Sequence, residues 1–97
     1  MKVVTNGYIF EDRKGVKRLF AEVVDDDRYP KGHHIVTSMI VSTSVDFDEI
    51  QYALVKTESE TVYQVNHLLT KEEFIEHVKA NFDEEKANWY LWYTNLV

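Results

Sequence analysis

Residues 34–45, which read HIVTSMIVSTSV, decide the fold that we predict for this chain. Alternate positions from 35 to 45 are apolar or threonine, whereas most positions between them are serine. Successive side chains of a strand point to opposite faces, so this alternation directs the first set toward a core. Val36 and Ile40 lie on the other face and predict partial cover there, for which a helix is one candidate. We therefore predict one continuous strand with the other strands arranged around it.

Four further segments have the composition of short strands. Residues 2–10 and 17–24 should form a hairpin around Gly15, which can adopt the positive φ of a tight loop. The other two segments are residues 49–57 and 61–65. Three side chains of the first strand should face one side: Val4, Tyr8 and Phe10. Five strands with brief loops predict a five-stranded antiparallel sheet, which either stays open and strongly twisted or curls into a small SH3-like barrel.

The period of the apolar residues changes at Thr70, where a helix is predicted to begin. Thr70 and Glu73 have the spacing of a capping box, with Leu69 and Phe74 at the positions of a hydrophobic staple. This helix should end near Asn81, which tolerates a left-handed cap. Asp83 can cap a second helix, although one bent helix is the alternative. At helical spacing, the residues that this second helix would bury are Phe82, Trp89, either Trp92 or Tyr93, and Leu96.

Length and composition indicate the class of protein. Ninety-seven residues predict a single α+β domain, with the sheet or barrel in residues 1–66 and the helical segment in residues 70–97. The chain has no cysteine, which excludes disulfides, thiolate catalysis and cysteine-ligated metals. The first residues lack the apolar run of a signal peptide, and no stretch is long and apolar enough for a membrane span, so we expect a cytoplasmic protein.

The aromatic-rich segment near the end is the first candidate site. Residues 88–93, NWYLWY, carry more aromatic side chains than one helix face can hold. Some of them should therefore stay outside the core, and tyrosine and tryptophan are common anchors of protein interfaces. We predict a partner-binding or self-association surface made of these residues with two acids at its rim: Tyr90, Trp92, Tyr93, Glu84 and Glu85.

A basic cluster at the first hairpin is the alternative candidate site. Its four cations could bind an anion or nucleic acid, with Tyr8 or Phe10 as stacking neighbours: Arg13, Lys14, Lys17 and Arg18. The net charge of −6 makes nucleic acid an unexpected partner, because phosphate-binding domains usually carry a basic face.

Catalytic and metal sites are not predicted. His33 and His34 are adjacent and should face opposite ways on a strand, while His67 and His77 lie far away without the His-x-x-x-His spacing. The acidic residues 25–27 lack the alternating ligands of a calcium loop. No nucleophile elbow or glycine-rich phosphate loop occurs. We therefore expect a non-enzymatic protein without a cofactor.

The middle of the chain resembles small uncharacterised proteins of bacteriophages and other mobile elements. The resemblance covers about 40 residues and rests on four segments, DRYPKG at 27–32, IVTS at 35–38, VKTE at 55–58 and YQV at 63–65. In those proteins an Asp-Arg-aromatic-x-x-Gly loop precedes a Thr-Ser strand. The resemblance implies a phage-type accessory protein that acts by binding a protein of the host or the phage, and that could inhibit or modulate a host system from the host cytoplasm.

Overall fold

The computed structural model describes residues 2–45 and 53–97. The chain forms six strands and two helices: β1 (Lys2–Glu11), β2 (Lys17–Asp25), β3 (His34–Val36), β4 (Ile40–Val45), β5 (Ala53–Thr57), β6 (Val62–Val65), α1 (Lys71–Asn81) and α2 (Glu84–Tyr93). The expected loop at 46–48 and the first part of the predicted strand at 49–57 lie outside the described residues.

The strands form one mixed sheet in the order β3-β2-β1-β6-β5-β4. Two antiparallel meanders, β1-β2-β3 and β4-β5-β6, meet where β1 pairs with β6 in parallel. The α+β class and the C-terminal helices are thus confirmed. The described residues hold six strands instead of five, and the sheet is not wholly antiparallel because the seam between the meanders is parallel.

The predicted continuous strand at 34–45 is wrong, because the segment is divided into β3 and β4 at opposite edges of the sheet. The break falls at Thr37, whose hydroxyl accepts the Leu19 N–H at 3.1 Å and donates to the Ser38 carbonyl at 2.8 Å. These side-chain bonds compete with a continuing ladder. Beyond the break Met39 and Val41 are 38% and 52% exposed, although the alternation had directed them to the core.

The sheet is rolled but open. Its two edge strands are joined by residues 37–39, and a link of this length spans at most about 14 Å. The edges must therefore approach each other, and β4 comes close to β2. In the described part of the chain β3 and β4 share no ladder, so the sheet does not close into the SH3-like barrel that was the alternative prediction.

An irregularity in β1 corrects the predicted facing of its side chains. The pairing with β2 shifts register between Thr5 and Tyr8, and Asn6 has a φ of 50°. One extra residue turns every later side chain to the other face. Val4 therefore packs inside the roll, whereas Tyr8 and Phe10 pack toward the helices.

Gly7 is required at this irregularity because of a close approach between strands. A Cβ at this position would lie 2.6 Å from Cγ1 of Val65 and 3.3 Å from Cδ1 of Leu19. The absence of a side chain lets β1 continue along the segment after β6, where the Gly7 N–H donates to the His67 carbonyl at 2.8 Å.

Two apolar clusters lie on the two faces of the rolled sheet. The inner cluster consists of Val4, Leu19, Ala21, Val23, Ile35, Ala53, Val55, Tyr63 and Val65. The outer cluster lies between the sheet and the helices and consists of Phe10, Phe20, Phe74, Val78, Ala87, Tyr90 and Leu91. Val36 packs against the outer cluster and Ile40 against the inner one, so the helix cover that we expected over these two residues is found for Val36.

The helix boundaries agree with the sequence signals. The Thr70 hydroxyl accepts the Glu73 N–H and the Glu73 carboxylate accepts the Thr70 N–H, which completes the capping box. Asp83 caps α2, so there are two helices. The left-handed cap expected at Asn81 is wrong, because the cap residue is Phe82 in an extended conformation. In the described residues no helix has the length and apolarity needed to cross a membrane.

Candidate functional site

Helix α2 buries a different face from the one predicted. Its buried residues are Ala87, Tyr90 and Leu91, and the buried cap residue Thr94 continues the same face. Trp89 was expected in the core but is 49% exposed, and of the two alternatives at the next position Trp92 is 51% exposed whereas Tyr93 is half-buried. Tyr90 is 8% exposed and packs against Phe20 and Phe82, so this member of the predicted partner site lies in the core.

The exposed indoles belong to an ordered group that we call the tryptophan surface, made of Trp89, Trp92 and Tyr93 of α2 with Arg13 of the first hairpin. Trp89 stacks on the half-buried Tyr93, with ring centroids 5.0 Å apart and planes at 17°. The Arg13 guanidinium lies over the Trp92 ring at 4.9 Å. The same guanidinium donates to the carbonyl of Trp92 at 2.7 Å, so this backbone bond helps to fix the cation in place.

The predicted rim acids lie at the beginning of α2. Glu84 and Glu85 are exposed in its first turn, where carboxylates interact favourably with the helix dipole. Glu85 precedes Trp89 by four positions and Trp92 by seven, which puts the three residues on one stripe of the helix. A carboxylate therefore borders the exposed indoles.

The four cations of the hairpin do not form one basic patch. Arg18 donates to the Asp12 carboxylate at 2.8 Å and to the Thr37 carbonyl at 3.1 Å. The hydrogen bond from Arg18 lowers the pKa of Asp12. Arg13 is bound to α2, whereas Lys14 and Lys17 are exposed. The structure thus joins the two candidate sites that the sequence suggested separately, because Arg13 belongs to the tryptophan surface.

A second constellation, the histidine cluster of Glu22, His34 and His77, was not predicted. The Nε2 atoms of His34 and His77 lie 3.0 Å apart. Oε1 of Glu22 lies 3.6 Å from Nε2 of His34 and 3.9 Å from Nε2 of His77. Among the described residues this is the group of three possible ligands whose donor atoms all lie within 4.8 Å of one another.

Three different elements position this cluster. Glu22 on β2 is the direct partner of His34 on β3 in the antiparallel register. His77 follows the buried Phe74 by three positions on α1 and therefore lies on the face that covers the sheet. The Asn6 amide in the irregularity of β1 donates to the Glu22 carboxylate at 3.3 Å.

The cluster is set in an aromatic environment. Phe20 stacks on His34 and meets His77 edge-on, while the Phe82 ring lies 4.8 Å from the His34 ring. Burial lowers the pKa of His34, and His77 lowers it further, whereas Glu22 acts in the opposite direction. Burial also lowers the pKa of His77. Both imidazoles are therefore neutral at neutral pH, which leaves nitrogen lone pairs available.

The prediction that adjacent histidines diverge fits the structure, since exposed His33 stacks on Tyr29, away from the cluster. Spacing could not reveal the cluster, because its ligands come from distant parts of the chain. One usable signal was the helix face shared by Phe74, His77 and Val78, which places a histidine on the buried side of α1.

The acidic loop is occupied by internal ion pairs. The Arg28 guanidinium donates to the Asp26 carboxylate at 3.0 Å and to the Tyr63 hydroxyl at 3.1 Å. Lys2 adds ion pairs to Asp26 and Asp27. These cations neutralise the carboxylates that a bound metal ion would need as ligands. One small cavity of about 220 Å³ is lined by Arg28, Tyr29, Ile35, Val36, Thr37, Ser38, Ser59 and Tyr63.

Comparisons of the chain with protein-family models, with curated proteins and with solved structures give no match. Function must therefore be inferred from the arrangement of the described residues. Two groups of residues offer chemistry for this purpose, the tryptophan surface and the histidine cluster.

Proposed function

We propose that this protein is a non-enzymatic, phage-type accessory protein that binds another protein through the tryptophan surface. The observation that carries the proposal is the pair of half-exposed indoles at Trp89 and Trp92. Tryptophan, tyrosine and arginine are the residues most enriched where interfaces concentrate their binding energy, and this surface contains all three.

The surface is preorganised for binding. Tyr93 supports Trp89 by stacking, and Arg13 supports Trp92 through a cation–π contact and a backbone bond. Side chains that are already held in place lose little conformational freedom when a partner docks. Little of the free energy gained by burying the indoles is therefore lost in ordering their side chains.

The charge of the chain indicates the chemistry of the partner. The net charge is −6, and the exposed Glu85 lies on the same stripe of α2 as the indoles, with Glu84 exposed in the same first turn. A complementary surface would offer an apolar pocket for Trp92 and basic residues around it, as electrostatic complementarity requires. A second copy of the chain would bring the same acids to the interface, so we favour a different protein, expected in the host cytoplasm, whose activity the binding would inhibit or modulate.

The test compares Trp92→Ala with Val41→Ala, a control on β4 where the native side chain is 52% exposed. Each protein is immobilised and incubated with lysate, and captured proteins are quantified by mass spectrometry. Loss of an anchor residue costs about 2 kcal/mol or more, or roughly thirty-fold in affinity, so Trp92→Ala should lose a basic partner that Val41→Ala retains. Equal capture by both variants would refute the proposal.

Light scattering tests the self-association alternative. If the tryptophan surface binds a different protein, the free protein should be monomeric at low and high salt. A salt-resistant dimer that Trp92→Ala dissociates would make a second copy the partner.

The alternative function, binding of an anion or nucleic acid at the first hairpin, has weaker support. Arg13 and Arg18 are bonded within the protein, which leaves Lys14 and Lys17 exposed. Charge reversal at Lys14 and Lys17 should therefore leave partner capture unchanged, whereas an anion-binding module would lose a salt-sensitive complex.

A further inference from the structure

We infer that Glu22, His34 and His77 form a binding site for one divalent transition-metal ion, with Zn²⁺ as the best match. This site is separate from the tryptophan surface, and the inference does not depend on the proposed function. It rests on the positions of three donor atoms, on their chemical identity and on the elements that hold them.

The distances between the donor atoms fit a metal ion without rearrangement of the backbone. The three atoms form a triangle with sides of 3.0, 3.6 and 3.9 Å. Such a triangle has a circumscribed radius of about 2.05 Å, and Zn²⁺ binds imidazole nitrogen at about 2.0–2.1 Å and carboxylate oxygen at about 2.0–2.2 Å. One point therefore lies at bonding distance from all three donor atoms.

The donor set selects the class of metal. Two imidazole nitrogens and one carboxylate oxygen suit Zn²⁺ and neighbouring transition metals, whereas Mg²⁺ and Ca²⁺ prefer sites made of oxygen ligands. The side chains of His34, His77 and Glu22 are 13%, 12% and 27% exposed, so an ion can reach the site from solvent. Three protein ligands leave at least one coordination position for water or another ligand.

The Asn6 side chain holds the Glu22 carboxylate in place. The Asn6 amide donates to the same oxygen, Oε1, that faces the histidines. Partners of this kind fix the direction of a ligand and contribute to metal affinity. The φ of 50° at Asn6 is part of the β1 irregularity, so the local backbone that turns Tyr8 and Phe10 outward also places this amide at the cluster.

The metal-free cluster has a proton where the metal would bind. At 3.0 Å the two Nε2 atoms share one N–H···N hydrogen bond, in which one neutral ring donates and the other accepts. When a metal takes both lone pairs, the proton of the donor ring moves to its Nδ1 atom. This tautomer change leaves the number of protons on the two rings unchanged.

Metal binding would connect α1 to the sheet, because His77 lies on the helix and the other two ligands lie on β2 and β3. An ion that binds the folded chain in preference to the unfolded chain raises stability by mass action. At a Zn²⁺ concentration about a hundred times the Kd, the unfolding midpoint of a domain of this size should rise by roughly 10–20 °C.

The experiment titrates the protein, produced without a histidine tag and treated with chelator, with Zn²⁺ in a calorimeter. Wild type should bind one equivalent, and His77→Gln should bind at least about 100-fold more weakly. His67→Gln is the matched control, because His67 is 54% exposed and lies outside the cluster. Mg²⁺ should give no saturable binding. Absence of Zn²⁺ binding by wild type, or equal binding by His77→Gln, would overturn the inference.

Glu22→Gln and Co²⁺ spectroscopy cover the case in which His77→Gln does not fold. Glutamine keeps the shape of the side chain but is a poor metal ligand, so the folded Glu22→Gln protein should also lose affinity. Co²⁺ bound by two imidazoles and a carboxylate should give visible absorption bands that Zn²⁺ displaces. Bands that persist in Glu22→Gln and disappear in His67→Gln would place the ion elsewhere and refute the site.

Discussion

Glu22 lies on β2 and Asp26 directly follows the end of that strand, yet their carboxylates have opposite surroundings. The Asp26 side chain is fully buried and receives two hydrogen bonds from the Arg28 side chain, one from the Arg28 N–H and an ion pair from Lys2. The hydrogen bonds from Arg28 hold the pKa of Asp26 well below its usual range. Its oxygen lone pairs are already used, which makes this carboxylate a structural link.

Glu22 instead faces groups that carry no formal charge. Its neighbours are the Asn6 amide and the imidazoles of His34 and His77, and within residues 2–45 and 53–97 it forms no ion pair with lysine or arginine. A carboxylate beside neutral nitrogen donors retains the capacity to bind a cation. The comparison shows that a carboxylate whose oxygens are bonded to cations supports the fold, whereas a carboxylate beside neutral nitrogen donors can offer a site.

The largest effect is expected for Arg28→Met, which keeps an apolar stem and removes the guanidinium. Removing the main partner of a buried carboxylate strongly destabilises the folded protein, although Lys2 remains near Asp26. We expect a loss of about 2–3 kcal/mol in the free energy of unfolding, measured by urea denaturation. Lys31→Met, in the same exposed loop, is the control and should change stability by less than about 0.5 kcal/mol.

A pH titration sharpens the same contrast. Because the pKa of Asp26 is lower in the folded chain than its ordinary value of 3.8, its ionised form contributes stability above that value. This contribution is lost as the pH falls through the folded pKa, since the unfolded chain takes up the proton first.

Asp26→Asn tests this link between charge and stability. The variant should be less stable than wild type at neutral pH, but its stability should fall less steeply between about pH 5 and pH 2. Denaturation curves across this range measure the difference. Parallel curves for the two proteins would show that the Asp26 charge does not contribute to folding.

The smallest effect is expected for Glu22→Gln in the presence of a chelator. The amide oxygen can still accept from Asn6, and no cation loses its partner. The free energy of unfolding should therefore change by less than about 0.5 kcal/mol, measured by the same denaturation. A loss as large as that of Arg28→Met would mean that Glu22 is also a structural link, and the contrast between the two acids would fail.

Sequence reasoning succeeded where the signal was local. The capping box joins Thr70 and Glu73 across three positions, and the hairpin forms around Gly15, so both features are encoded in neighbouring residues. It failed where a distant partner decided the outcome. The break at Thr37 depends on Leu19, and the parallel seam depends on residues more than 60 positions apart.

The candidate sites show the same division. An excess of aromatic residues in α2 was visible, but four aromatics at 89, 90, 92 and 93 leave the rotation of the helix undecided. Ala87, Leu91 and Thr94 lie on the buried face and carry Tyr90 inward. The histidine cluster needs strand register and helix docking together, neither of which can be read from spacing.

The parallel seam has a consequence for how the protein is made. Lys2 pairs with Tyr63, so the ladder between β1 and β6 cannot form until most of the chain has left the ribosome. The first meander has contacts that are local in sequence and can form much earlier. During that interval the edge of β1 that later pairs with β6, at Lys2, Val3 and Val4, has no strand partner and is open to pairing with other chains.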